Sequence, residues 1–104
     1  MHGRIATYRF TGDAHEIAHR AEEGMLPIFQ AQQGFRAYSL VLTGDTVVSF
    51  SAWESADQAD AASGAAAGWI ADNLAGQIEL LDVRVGEILL STALGVRAPA
   101  GASA

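Results

Sequence analysis

Hydrophobic positions change their spacing along the chain, and the changes divide it into six elements. Residues 5–10, Ile-Ala-Thr-Tyr-Arg-Phe, are β-capable and stop at Thr11-Gly12-Asp13, a turn signal, which predicts a first strand. Asp13 is placed to cap the helix that follows. Ala14, Ile17, Ala18, Ala21, Met25, Ile28 and Phe29 recur at helical spacing, an apolar stripe opposite a charged side. Gly24 and Pro27 interrupt that stripe, and proline has no amide hydrogen to donate, so a kink or break is expected there. Gly34 serves as the stop.

From Gly34 to Ser55 the period falls to two, the mark of a hairpin. Gly44-Asp45 between Thr43 and Thr46 suits a two-residue turn in which glycine supplies a positive φ. That turn fixes a register: Thr43 opposes Thr46, Leu42 opposes Val47, Leu40 opposes Ser49, Tyr38 opposes Ser51 and Arg36 opposes Trp53. Arg36, Tyr38, Leu40, Ser49, Ser51 and Trp53 then share one face, while Ala37, Ser39, Val41, Val48, Phe50 and Ala52 share the other.

Ser55-Ala-Asp-Gln58 has the form of a capping box and starts a second helix. Ser63-Gly64 and Gly68 lie inside it, so two helical pieces are expected, the second holding Trp69, Ile70, Asn73 and Leu74. Residues 78–91 form a long β-rich run with a bulge or bend expected at Gly86. The order is β-α-β-β-α-β, an α+β ferredoxin-like arrangement with an antiparallel sheet, in one domain over residues 1–97 and a mobile tail over 98–104. Two helices cover one face of such a sheet, yet both faces of the hairpin carry apolar groups. An identical partner is therefore expected on the second face, against Val41, Val48 and Phe50.

Composition narrows the chemistry. The 104 residues hold twelve acids against six basic residues, all arginine, for a formal charge of −6, a surface that repels a phosphate backbone and argues against nucleic acid. The lack of lysine removes Schiff-base chemistry, and the lack of cysteine removes disulfides, thiol nucleophiles and cysteine-based metal sites. No apolar run has the length of a signal peptide core or a membrane span, so a cytoplasmic protein with no membrane partner is expected.

Gly34-Phe35 opening the second strand, Trp53-Glu54-Ser55 closing the third and Val85-Gly86-Glu87-Ile88 in the last resemble the antibiotic-biosynthesis-monooxygenase-like (ABM) family of the dimeric α/β-barrel superfamily. The resemblance spans residues 3–92. It implies a homodimer with its sheets face to face, and a pocket in each subunit between sheet and helices. For some members it also implies oxidation of aromatic polyketides or quinols by O₂ without metal or flavin. Trp53 matches the pocket tryptophan of the polyketide-oxidising members, whereas their asparagine and tyrosine positions hold Ser49 and Ala59 here. The asparagine and histidine of heme-degrading members have no counterpart.

The candidate site is therefore Trp53, Tyr38 and Ser49 as catalytic residues, with Arg36, Leu40, Ser51 and Trp69 binding the substrate. It offers an indole for stacking, a phenol and hydroxyls for orienting oxygen atoms, and a cation. In such a reaction the substrate supplies the electrons as a phenolate or hydroquinone anion, which Tyr38 or Arg36 would generate and stabilise. No cofactor is expected, and the ligand is a hydrophobic small molecule. The alternative is a non-catalytic ligand-binding or structural homodimer in which Trp53 and Tyr38 are core aromatics. His15-Glu16-Ile17-Ala18-His19 spells the H-E-x-x-H zinc motif, but no histidine follows it and it opens the first helix, so no metal site is expected. Glu16–Arg20 and His19–Glu23 read instead as pairs one turn apart.

Overall fold

The computed structural model describes residues 1–98; residues 99–104, where most of the expected tail falls, lie outside the described residues. The elements are β1 (His2–Phe10), α1 (Ala14–Ala31), β2 (Phe35–Thr43), β3 (Thr46–Trp53), α2 (Ala56–Asn73) and β4 (Ile78–Glu87). The four strands form one antiparallel sheet in the order β2-β3-β1-β4, the ferredoxin-like α+β arrangement.

The hairpin closes at Gly44, whose φ is +61°, and pairs as the turn requires from Thr43↔Thr46 through Leu40↔Ser49 and Tyr38↔Ser51 to Ala37↔Ala52. One pair differs. Phe35, not Arg36, stands opposite Trp53, because Arg36 is an extra residue in a β-bulge. The bulge turns the Arg36 side chain outward to Glu54, at 3.3 Å, and puts the Phe35 ring against Trp53. A second bulge lies in β4 at Leu81, between the pairs Thr7↔Asp82 and Tyr8↔Leu80. Gly86, where the bend was expected, pairs regularly with Gly3, and β4 ends at Glu87 rather than at Ser91.

The first helix runs unbroken through Gly24 and Pro27, and the second is one helix where two pieces are expected. Pro27 is exposed, as is Glu23, whose carbonyl loses its helical donor and is left to water at no burial cost. Gly24 acts through packing: a Cβ there would overlap the Trp69 indole, so the glycine sets how closely the helices approach. Gly64 and Gly68 are exposed with open space around them, and the buried Ala59, Ala62 and Ala66 hold α2 on the sheet as one helix. Asp13 and Ser55 cap the two helices, accepting from the backbone N–H of His15 and Gln58. Arg20 donates to Gln77 Oε1 at 3.0 Å and to the Asn73 carbonyl, tying α1 to the end of α2 instead of pairing with Glu16.

The helices cover the face carried by Arg4, Ala6, Tyr8, Ser49, Ser51 and Trp53, all buried. The opposite face carries Ile5 and Val41, 47% and 51% exposed, with Val48 and Phe50 half-buried between them. Among the described residues no helix is long and apolar enough to cross a membrane.

Candidate functional site

Beneath the helices the sheet has a sealed end and an open end. At the sealed end Trp53 has no exposed surface. Its ring meets Phe29 and Phe35 edge-on, with centroids 5.4 and 5.5 Å apart, and its Nε1 donates to Ser51 Oγ at 2.9 Å. The Phe29 and Trp53 rings share one buried cluster with Ala59, Ala62 and Ala66, where short side chains let α2 sit down on the rings. The Ser51 hydroxyl thus satisfies the buried indole N–H.

At the open end a cavity of about 40 Å³ lies between helices and sheet, lined by Arg4, Tyr8, Tyr38, Leu40, Ser49 and Trp69 among others. Outside it, between α1 and edge strand β2, runs a groove of about 370 Å³ bordered by His15, His19, Glu22, Leu26, Tyr38 and Leu40. Tyr38 and Leu40 line both spaces and so form the wall between them. At about 40 Å³ the cavity has room for water-sized occupants only, and the space large enough for a ring is the outer groove.

Burial pushes the Tyr38 phenol up to about 12 and neighbouring Tyr8 adds to the rise, outweighing the Ser49 hydroxyl and the Arg4 charge, which pull the other way. At neutral pH Tyr38 is therefore a neutral phenol, a hydrogen-bond donor rather than a base.

Of the residues singled out from sequence, Tyr38, Leu40, Ser49 and Trp69 come together around the cavity. Ser51 and Trp53 share the sheet face but are sealed beside it, and Arg36 lies outside in the bulge. The cation facing the cavity is Arg4, which sequence reasoning missed together with Tyr8. Arg4 is 2% exposed; its Nε donates to Ser63 Oγ at 2.8 Å, and among the described residues no carboxylate lies within ion-pair distance. The first strand reads from sequence as starting at Ile5, whereas it starts at His2. The alternation Arg4-Ala6-Tyr8 was the signal available: it puts an arginine on the covered face.

His15 and His19 are exposed on the outer groove. His19 Nε2 lies 2.9 Å from Glu23 Oε1, the expected pair, and His15 Nδ1 lies 3.6 Å from Asp13. Among the described residues no three metal-ligating side chains converge.

No protein-family model and no curated protein matches the chain. Solved structures do. Rv0793 from Mycobacterium tuberculosis superposes with a TM-score of 0.65 at 21% identity, over 88% of this chain and 97% of that one. SnoaB, a cofactor-independent oxygenase from Streptomyces nogalater, gives 0.67 at 14% identity, over 88% and 95%. The monooxygenase from the gene ActVA-Orf6 of Streptomyces coelicolor, in complex with nanaomycin D, gives 0.60 at 21% identity, over 86% and 92%. The chain is thus similar in fold, across most of its length, to monooxygenases of the antibiotic-biosynthesis type.

Proposed function

We propose that the protein is a cofactor-independent monooxygenase acting on a hydrophobic aromatic or quinone-like molecule held against the Tyr38–Leu40 wall. The observation that carries this reading is Tyr38, a neutral phenol shared by the outer groove and the inner cavity, with the Ser49 hydroxyl beside it. The structural likeness to two oxygenases supports it.

A phenolic substrate enters the groove, its ring between α1 and β2, and directs an oxygen atom at Tyr38. The substrate's hydroxyl proton passes to solvent water at the groove, and the Tyr38 phenol donates a hydrogen bond to the oxygen and stabilises the anion that results. Oxidation of a ring CH₂ to a carbonyl balances without another reductant: O₂ gives one atom to the product and one to water, and both hydrogens and the electrons come from the oxidised carbon. The chain's part is to bind and orient the substrate and to hydrogen-bond its anion.

Oxygen uptake with a panel of anthrone-like phenols and quinols tests the reading. Uptake above a heat-killed control is expected, falling at least tenfold in Tyr38→Phe. No uptake with any member of the panel overturns it. In that case the alternative stands, a non-catalytic ligand-binding or structural homodimer, which the small size of the inner cavity and the sealed Trp53 favour.

The second copy is part of the proposal in both versions. The exposed Ile5 and Val41 with half-buried Val48 and Phe50 make a central apolar strip on the uncovered sheet face, suited to the same strip of a two-fold-related partner. Sedimentation of the wild type as a dimer, and of Val41→Glu as a monomer, is the expected result. A monomeric wild type refutes it.

A further inference from the structure

We propose a second binding site, between α2 and edge strand β4, that takes a small apolar monoanion with its acidic group on Arg4. A groove of about 240 Å³ opens there, with Arg4 and Ser63 at its base and Ala67, Ala71, Leu80 and Val83 along its sides. It borders the Tyr38 cavity through Arg4, Tyr8 and Ile70, which line both spaces, but shares neither Tyr38 nor Leu40 with it.

Two observations point to an anion. The first is the guanidinium itself, 2% exposed, with only its Nε engaged, by Ser63 Oγ at 2.8 Å, and with no carboxylate partner among the described residues. A guanidinium keeps its charge when buried, and taking it out of water without a counter-ion costs several kcal/mol. The fold has met that cost in advance, and the two Nη groups match the paired oxygens of a carboxylate. The second is the wall. Leu80 and Val83 are 51% and 39% exposed on the helix-facing side of β4, because Ala67 and Ala71, one turn apart on α2, carry no side chain long enough to cover them. A hydrocarbon body fits between those rows with its charged end on Arg4. One cation among apolar walls suits a monoanion rather than a phosphate, and the volume is below the roughly 300–1,000 Å³ of drug-sized pockets, so the ligand is small. Its body is a short aliphatic chain or one or two fused rings.

The site stands whether or not the chain is an oxygenase, because its test reads binding without turnover. Calorimetric titration of the full chain with octanoate and 1-naphthoate is compared with the same titration using octanamide and 1-naphthamide. At least one carboxylate is expected to bind at least tenfold tighter than its amide, and which one does so tells the aliphatic from the aromatic body. Arg4→Met is expected to abolish the difference, and Arg4→Lys, lacking the fork, to keep only part of it. Should Arg4→Met fail to fold, Ala67→Phe, which fills the groove and leaves Arg4 itself in place, is expected to lose carboxylate binding with an unchanged circular dichroism spectrum. Equal binding of acids and amides, or full carboxylate affinity in folded Arg4→Met or in Ala67→Phe, overturns the proposal.

Discussion

The two ends of the covered sheet face hold similar residues in opposite conditions. At one end a tryptophan and a serine hydroxyl are locked to each other under an alanine-rich helix, and no space remains beside them. At the other, a tyrosine, a serine and an arginine border a cavity and open grooves. The difference is not polarity but satisfaction. The only polar group of Trp53 is spent on Ser51 and neither residue has exposed surface, whereas the Arg4 guanidinium and the Tyr38 phenol keep hydrogen-bonding capacity facing space that something else can enter. A polar strand residue whose partner lies within the sheet holds structure; one that faces a void keeps its capacity for a ligand.

Substitutions at the two ends should therefore part in kind. The largest effect is expected for Trp53→Ala, which removes the ring between Phe29 and Phe35 and should cost about 3–5 kcal/mol in chemical denaturation. A loss under about 1 kcal/mol would mean that end is not sealed. Ser51→Ala leaves the indole N–H unsatisfied and should cost about 1–3 kcal/mol, whereas Ser51→Thr, retaining the hydroxyl, should recover part of it.

At the open end pH is the probe. The Tyr38 phenol titrates near 12 in the folded chain and near its ordinary 10 when unfolded. Between those values the unfolded state sheds the proton first, so the contribution is complete below about pH 10 and lost as pH rises through about 12. Stability followed by denaturant midpoint should fall over that window and flatten in Tyr38→Phe; an unchanged alkaline slope in the variant would place the burial elsewhere. Arg4→Met exchanges a buried charge without a counter-ion for an apolar side chain and should leave stability unchanged or raise it, by up to about 4 kcal/mol, in thermal unfolding. A loss of several kcal/mol would move Arg4 to the structural end of the comparison. The smallest change belongs to Arg36→Ala: the exposed pair with Glu54 is worth at most about 0.5 kcal/mol, and a double-mutant cycle with Glu54→Ala checks it.

Much of this was legible in the residues. The period changes gave all six elements, and Gly44-Asp45 set the hairpin register over seven consecutive pairs, Thr43↔Thr46 to Ala37↔Ala52. Register reading fails at Arg36 because it assumes regular pairing, and no residue type there announces a bulge. Pro27, Gly64 and Gly68 are poor helix formers and predict a kink or break in the first helix and two pieces in the second; propensity yields where the residue is exposed and the opposite face is packed. The shared face of Tyr38, Ser49 and Trp53 followed from alternation, but which of them borders space depends on where Phe29, Phe35 and α2 come to rest, and that is set by packing across the whole chain. Arg4 stayed hidden because a single arginine before a short apolar run looks like a solvated strand end.

The bulge at Arg36 has a consequence for how this chain tolerates a change in length. Elsewhere in a strand, losing one residue turns every following side chain to the opposite face. Here the pairs Phe35↔Trp53 and Ala37↔Ala52 are already those of an unbroken ladder, with Arg36 looped out between them. Deleting position 36 would join the ladder without moving a ring from the core or a hydroxyl from the cavity, and would cost the molecule only a surface charge. At this bulge the length of the strand is free to drift while what the sheet buries stays put.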